Sequence, residues 1–389
     1  MSTTHRRTIH AAVLASFFIH GCSSDPDANM PAAELKIIEA TDLGPVATHP
    51  LIRGRDGGYS AMFEGYSVWL YGDTFLNQSD EHGQRLVGNT WSYTNELDAG
   101  DGIDSFNERL DSVGSPRQFF PLEPEELQFN IDHAIDNCIE QPCGARWALW
   151  PKVMVPDPDR ERMLVFYEKV YAEPGSFNFS AVGCSLAQWT DFNGSPERYR
   201  FDIDQHYPTM MFSEDEPGFG SAATVVGADM YVYACRLEGY EKPCRLGRVA
   251  LENAHRRSAW EYLSWNGGWS DNIKEAIALF NGNDIMSVSY NPYINRYIAI
   301  YNEPMDRAVM FRTAIAPEGP WSRAEKAFDA IPPDNDIGWV YDALHHPEYD
   351  QDGGQTIYVT YSRENGFLSS ELRLVSLKIK HAATDDARP

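Results

Sequence analysis

The chain has 389 residues, which is long enough to bury one large β domain or two ordinary domains. Its formal net charge is −25 at pH 7, so it lacks the excess of Lys and Arg that binding to a phosphate backbone requires, and no nucleic-acid partner is expected. Aromatic residues make up 13% of the sequence, which suits a β-rich fold and a surface that stacks on sugar rings.

The N-terminus has the pattern of an export signal. Two arginines precede a mostly apolar run, residues 9–19, which is too short to span a bilayer. The run leads into the letters IHGC, which resemble a bacterial lipobox despite the unusual His20. We expect residues 1–21 to be a signal peptide, Cys22 to carry lipid, and residues 22–34 to form a polar tether, with plain secretion as the alternative. The protein is then exported and attached to the cell envelope (outer membrane or cell surface) through its lipid alone.

The first strand signal is a hairpin over residues 53–76. Apolar and aromatic runs flank Glu64-Gly65, a plausible two-residue turn because Gly tolerates positive φ. With that turn, Asp56 faces Asp73, and directly opposed residues have Cβ atoms about 4.5–5.5 Å apart. Two carboxylates this close repel each other, so such a pair is unfavourable unless it has a function. A close carboxylate pair is what acid–base hydrolysis or a hard metal ion needs.

Four more strand–turn–strand units follow along the chain, and each is followed by a further strand-like run. They cover residues 149–170, 221–236, 285–302 and 341–362. Helical periodicity is almost absent, and short helices are predicted only at Pro124–Leu127 and Asn272–Leu279.

Five loosely similar β modules predict an all-β fold, a five-bladed β-propeller over residues 35–381. Residues 35–40 are expected to complete the last blade, and residues 382–389 to be a disordered tail. In a propeller, the first strand of each blade lines a central channel, and the open ends of the inner hairpins gather on one face. A two-sheet sandwich is the structural alternative.

Cysteine usage fits an exported protein. Cys138 and Cys143 lie close together in the sequence, and Cys235 and Cys244 flank a turn between two strand-like runs. Either pair could form a disulfide, and Cys184 would then be a buried free thiol.

Module 2 supplies further candidate site residues. Glu168 ends its second strand much as Asp73 does in module 1, which makes it a candidate third acid, although an ion pair with Lys152 or Lys169 is the alternative. Lys152 could contact sugar hydroxyls. Trp150 is a candidate aromatic platform for a sugar ring, or else a core residue.

Module 5 supplies Asp342, His345 and His346. Strand alternation sends the two histidines to opposite faces and places Asp342 and His346 on the same face. His346 could tune a carboxyl group or bind an ion, or it could be a core histidine. Several acids around one channel mouth could hold Ca²⁺. Because the sequence lacks the spacing of a calcium loop, we predict neither a metal nor another cofactor.

Four groups of motifs, in a fixed order over residues 43–379, carry a family resemblance. They are WLYGDTF; FGSAATVVGADMYVY followed by LGRVAL; MSVSYNPYINRYIAIY followed by FRTAIAPEGPWS; and YDALHHPE followed by IYVTYS. In this order the chain resembles the bacterial family catalogued as domain of unknown function 4185. The resemblance implies a five-bladed β-propeller related to other propeller glycosidases. Some members are endo-D-arabinofuranosidases that cut D-arabinan, and two acidic residues of their first blade are implicated in catalysis. Asp56 and Asp73 match those places.

The resulting hypothesis is a monomeric glycoside hydrolase that cleaves furanosidic linkages of a polysaccharide. Asp56 and Asp73 would be the acid pair and Glu168 would assist, while Trp150, Lys152, Asp342 and His346 would bind substrate. Which aspartate donates the proton stays open. One alternative is a non-catalytic carbohydrate-binding propeller, and another is a surface scaffold for a protein partner.

Overall fold

The computed structural model describes residues 27, 29–175, 177–201, 203, 206–304, 306–335 and 338–382. The predicted signal peptide, the predicted lipidation site Cys22 and all but one residue of the predicted tail lie outside the described residues. Within the described part of the chain, no helix has the length and apolar character needed to cross a membrane.

Five antiparallel sheets follow one another along the chain as the blades of a propeller, which confirms the predicted fold and excludes the sandwich. The chain enters through strand β1 (Leu35–Pro45). Blade 1 contains β2 (Ile52–Phe63), β3 (Tyr66–Leu76), β4 (Leu86–Val87), β5 (Thr90–Thr94) and β6 (Asn107–Glu108). Blade 2 contains β7 (Arg146–Asp157), β8 (Arg162–Ala172), β9 (Phe179–Trp189), β10 (Glu197–Arg198) and β11 (Phe212–Ser213).

The remaining blades have the same order of strands from the centre outward. Blade 3 contains β12 (Ala222–Val226), β13 (Asp229–Cys235), β14 (Pro243–Ala250), β15 (Glu261–Leu263), β16 (Trp269–Ser270) and β17 (Phe280–Asn281). Blade 4 contains β18 (Ser287–Asn291), β19 (Arg296–Asn302), β20 (Ala308–Ala314) and β21 (Glu325–Asp329). Blade 5 contains β22 (Val340–His345), β23 (Thr356–Gly366) and β24 (Ser369–His381).

The innermost strands surround the central axis. Strands β2, β7, β12, β18 and β22 contact one another in that order, and β22 contacts β2, which closes the circle. Each of the five predicted hairpins therefore supplies the innermost strand of one blade together with its neighbour. As predicted, the N-terminal strand completes blade 5, because β1 pairs with β24 from Leu35–His381 to Pro45–Arg373.

The central part of the second strand of a blade is apolar because it packs against both neighbouring blades. In β8, Met163, Val165 and Tyr167 belong to a hydrophobic cluster shared with blade 1. The alternate residues Leu164 and Phe166 belong to a cluster shared with blade 3. Side chains alternate between the two faces of a strand, so a strand with two buried faces has no exposed polar face to show.

One α-helix and eight short 3₁₀ helices occur in the described residues. Helix α1 (Pro124–Asp132) begins at the predicted residue and runs beyond the predicted end. The 3₁₀ helices are Ile135–Asn137, Pro158–Arg160, Leu251–Asn253, Arg257–Ala259, Trp265–Gly267, Ile273–Glu275, Pro347–Tyr349 and Asp352–Gly354. The helix predicted over residues 272–279 is wrong apart from one 3₁₀ turn, because Ala276 is extended and the Ile277 N–H bonds to the Leu263 carbonyl.

Both disulfides form, and the prediction for the cysteines is confirmed. Cys138 bonds to Cys143 within a loop, and Cys235 bonds to Cys244 between directly paired positions of β13 and β14. Cys184 is a buried free thiol.

Candidate functional site

The hairpin of blade 1 has the predicted tight turn. Glu64 and Gly65 have φ angles of +48° and +84°, and two positive angles are the mark of a type I′ turn. Phe63 pairs with Tyr66 across the turn, and the predicted register continues as far as Tyr59.

A bulge changes the register at the two aspartates. The flanking pairs are Arg55–Thr74 and Gly57–Tyr71. Asp56 therefore lies opposite two residues, Gly72 and Asp73, so the predicted direct pairing of Asp56 with Asp73 is wrong. A second irregularity at Gly58 restores the register toward the turn. Gly57 and Gly58 have φ angles of +77° and +141°, which residues with a Cβ rarely adopt, and they permit this irregular backbone.

Asp73 accepts hydrogen bonds from two side chains of blade 2. The Arg146 guanidinium forms an ion pair with one carboxylate oxygen, and the Trp150 indole N–H donates to the other over 2.7 Å. The side chains of Arg146 and Asp73 are 13% and 15% exposed, so the pair is largely shielded from water. Hydrogen bonds to a charged group are stronger than neutral ones, and the two donors fix the orientation of Asp73.

Asp56 has different surroundings. Burial raises its pKa to about 7, and the charges of Asp73 and Glu364 act in the same direction. The Tyr341 hydroxyl donates a hydrogen bond to Asp56 Oδ1, which together with the charge of Arg146 lowers the pKa in part. Part of the Asp56 side chain reaches solvent, but protein surrounds the carboxyl group on most sides. A pKa near 7 lets Asp56 exchange a proton at neutral pH.

Asp284 and Asp342 form a group with the two aspartates of blade 1. We call these four residues, Asp56, Asp73, Asp284 and Asp342, the acidic cluster. Asp342 has a left-handed backbone with φ +53° and accepts a hydrogen bond from the Gly57 N–H. Burial raises the pKa of Asp342 well above its usual range, and the charges of Asp56 and Asp284 add to this effect. The cluster thus joins blades 1, 4 and 5.

Two lysines offset the negative charge of the acidic cluster on the side near blade 4. The half-exposed Asp284 forms an ion pair with Lys242. Burial raises the pKa of Asp284, but the charges of Lys242 and Lys152 outweigh burial and hold it below the usual range. The alternation of acids and cations reduces the repulsion that a purely acidic site would have.

Glu168 forms the ion pair that was considered as the alternative to a catalytic role. Its Oε2 lies 3.6 Å from Lys152 Nζ, and the Cys184 thiol donates to its Oε1 over 3.8 Å. Burial lowers the pKa of Lys152, but Glu168 outweighs burial and holds that pKa above its usual range. Lys152 is only 6% exposed, so direct contact with a sugar would require substrate deep in the site.

His346 lies in the core and not in the acidic cluster. Its ring stacks on Trp69 with centroids 4.1 Å apart, and its two nitrogens lie 2.6 Å from Ser60 Oγ and 2.7 Å from Thr360 Oγ1. Burial lowers its pKa well below the usual range. The predicted grouping of His346 with Asp342 fails because a register shift in β22 interrupts the alternation on which it depended.

Arg146 and Tyr341 were missed by the sequence analysis. The predicted second hairpin begins at Leu149, whereas β7 begins at Arg146, so the prediction does not include the residue at the open end of this hairpin. A predicted strand that continued three residues further toward the open end of the hairpin would include Arg146. Tyr341 directly precedes Asp342, but only the register shift in β22 reveals that its hydroxyl reaches Asp56.

The described residues contain no group of three or more His, Cys, Asp or Glu side chains arranged to hold a metal ion. A surface cavity of about 440 Å³ lies beside helix α1, with Phe129, Asp132 and His133 in its wall. No member of the acidic cluster lines it. The paired carboxyl groups, and not this cavity, therefore mark the candidate site.

Comparison with known proteins gives one family and several propellers. The sequence profile of the family described as Domain of unknown function (DUF4185) matches residues 32–370. No curated protein sequence matches the chain. A protein from Bacteroides ovatus, named provisionally as a hydrolase, superposes with a TM-score of 0.52 at 16% identity, over 86% of this chain and 87% of that one.

Two glycoside hydrolases superpose less closely. An α-L-arabinofuranosidase from Podospora anserina has a TM-score of 0.46 at 12% identity, over 91% of this chain and 99% of that one. A family 117 glycoside hydrolase from Zobellia galactanivorans has a TM-score of 0.48 at 10% identity, over 89% and 91% of the two chains. Likeness at such low identity concerns the fold and not the reaction.

Proposed function

The chain belongs to the DUF4185 family, and on that premise we propose that it is a glycoside hydrolase that cuts furanosidic linkages in a polysaccharide. One observation carries the proposal. Two carboxyl groups on adjacent strands of blade 1 lie close enough for the charge of Asp73 to act on Asp56, and their surroundings differ sharply. Glycoside hydrolysis needs such a pair, with one carboxyl as proton donor and the other as nucleophile or base.

The different surroundings of the two aspartates support a different role for each. Asp56, with a pKa of about 7, donates the proton to the leaving oxygen of the glycosidic bond. Asp73, which accepts from Arg146 and Trp150, acts as the nucleophile or activates the attacking water. Both donors also stop the Asp73 carboxylate from rotating toward Asp56, which keeps the roles separate.

Asp342 supports the proton donor indirectly. Burial raises the pKa of Asp342 well above its usual range, which reduces the negative charge that this side chain places beside Asp56. Glu168 and Lys152 form a neighbouring ion pair on blade 2. The solvent-facing part of this pair orients sugar hydroxyls. We assign substrate contact to Trp150 and Asp342, and a structural position to His346.

The proposed substrate is a furanose polymer, with D-arabinan first among the candidates because of the family resemblance. The test is release of reducing sugar from D-arabinan, L-arabinan and a panel of other glycans. Asp56→Asn and Asp73→Asn should each lower the rate by roughly 100-fold or more, because each removes a group that acts in the transition state. Asp271→Asn changes an exposed acid of blade 3 and is the matched control.

Two results would contradict this function. If Asp73→Asn releases sugar as fast as the wild type, Asp73 is not part of the catalytic pair. If the wild type binds glycans but releases no sugar from any of them, the protein is a carbohydrate-binding propeller and not a hydrolase.

A further inference from the structure

Two exposed aromatic side chains from different blades stack on each other. Phe177 lies in the loop between β8 and β9 of blade 2, and Trp339 directly precedes β22 of blade 5. Their ring centroids are 5.3 Å apart with an angle of 27° between the planes. Phe177 is 69% exposed and Trp339 is 41% exposed, so each ring keeps a free surface. We call this pair the aromatic bridge.

The position of the aromatic bridge follows from the order of the blades. Blades 2 and 5 are the two neighbours of blade 1, so a contact between them passes across the inner end of blade 1. The ring of Trp339 lies 6.2 Å from that of Tyr341, and the Tyr341 hydroxyl donates to Asp56. The aromatic bridge is therefore connected through one side chain to an acid of the candidate site.

Aromatic rings are also connected to Asp73, the second acid of the pair. Phe179, which is 47% exposed, packs against Trp150 with ring centroids 4.9 Å apart. Trp150 donates to Asp73. Each acid thus accepts a hydrogen bond from an aromatic side chain, Tyr341 or Trp150, and that side chain packs against an exposed ring.

Exposed rings next to carboxylates suit a ligand with both apolar and polar surface. A sugar ring has an apolar C–H face that packs on an aromatic ring, and hydroxyl groups around its edge that bond to carboxylates and cations. Large aromatic side chains with a free face gain energy when a partner covers them, and stacked rings lose little conformational freedom on binding. A polymer of sugars offers several such faces in succession.

We propose that the aromatic bridge of Phe177 and Trp339 is a sugar-binding subsite that holds the polysaccharide beside the linkage placed at Asp56 and Asp73. This inference rests on the proposed function, because it takes the acid pair as the point of cleavage. The subsite contributes to binding of the polymer and takes no part in proton transfer. Its loss therefore raises KM and leaves kcat nearly unchanged.

Binding is measured in the Asp73→Asn protein, so that the polysaccharide survives. The polysaccharides tested are D-arabinan and linear L-arabinan, and their binding is measured by affinity electrophoresis and calorimetry. Adding Trp339→Ala or Phe177→Ala should weaken binding roughly tenfold, as expected for an aromatic anchor. Trp339→Phe should retain most of the affinity because a ring face remains. Trp265→Ala, which removes a 77% exposed tryptophan of blade 3, is the control for general loss of surface aromatics.

The outcomes separate this inference from the proposed function. Equal affinity with and without the two alanine substitutions would overturn the subsite, even if the wild type hydrolyses arabinan. Failure of the Asp73→Asn protein to bind either polysaccharide would also overturn it. Conversely, aromatic-dependent binding by a protein that hydrolyses no glycan would support the subsite and refute the hydrolase. Circular dichroism of each variant checks that these surface changes leave the fold intact.

Discussion

The hydrogen bond from Tyr341 to Asp56 controls the pH range in which the proposed proton donor works. Asp56 has a pKa of about 7, and the Tyr341 hydroxyl lowers it by stabilising the carboxylate. A general acid is active while it holds its proton, so the rate should fall as pH rises through the pKa of Asp56. In the wild type this decline is expected around pH 7.

Tyr341→Phe removes the donor and keeps the ring. A hydrogen bond to a charged group contributes about 1.5–3 kcal/mol, and one pH unit of pKa corresponds to about 1.4 kcal/mol. The pKa of Asp56 should therefore rise by about one to two pH units, and the alkaline decline of kcat/KM should move upward by the same amount.

The assay is the pH profile of kcat/KM on the best glycan of the panel. Direct titration of the Asp56 carboxyl by carbon NMR gives the same information without requiring activity. Tyr240→Phe, at a fully exposed tyrosine of blade 3, is the matched control. A profile that stays in place, or one that moves to lower pH, would refute the assignment of Asp56 as proton donor under the control of Tyr341.

Three stability predictions follow from other parts of the molecule. Because the pKa of Asp56 is raised in the folded state, the contribution of Asp56 to folding stability is present at low pH and is lost as pH rises through about 7. The free energy of unfolding of Asp56→Asn, measured by urea denaturation, should therefore exceed that of the wild type by about 1–4 kcal/mol at pH 8.5. This difference should vanish near pH 4. In β1, Leu35→Ala should lower the free energy of unfolding by about 2–5 kcal/mol because Leu35 is 1% exposed, whereas Ile38→Ala at 52% exposure should change it by less than about 0.5 kcal/mol. Equal effects would mean that β1 does not close blade 5 as described. Replacing both Cys235 and Cys244 by Ser should cost about 2–3 kcal/mol, since the disulfide closes a loop with a sequence separation of 9; a thermal midpoint unchanged from the wild type would contradict it.

The apolar pattern was enough to predict the blades. The central part of each second strand is hydrophobic because two blades cover it, and the turn at Glu64-Gly65 has a residue that tolerates positive φ. Those signals are local, so they are visible in a single sequence. The positions of Asp56 and Asp73 at the open end of the first hairpin followed from them to within one residue.

The details of the site depend on features that the apolar pattern does not encode. The bulge opposite Asp56 and the shift in β22 are irregularities of the hydrogen-bond ladder, and they decide that Tyr341 meets Asp56 while His346 enters the core. The ion pair of Lys242 with Asp284 joins residues from blades 3 and 4. The geometry of this ion pair is set by the packing of whole blades, so no local signal predicted that Lys242 meets Asp284.

The pairing of β1 with β24 also has a consequence for the order in which the protein is made. Strand β1 leaves the ribosome before every other strand of the propeller, and β24 is the last of the described strands to be synthesised. Until then β1 has no partner, and it is an open strand edge of the kind that promotes aggregation. Blades 1 to 4 can begin to fold from neighbouring segments of chain, but the circle cannot be completed before β24 has been synthesised. A nascent chain that stops short of β24 would therefore retain an open ring and an unpaired first strand.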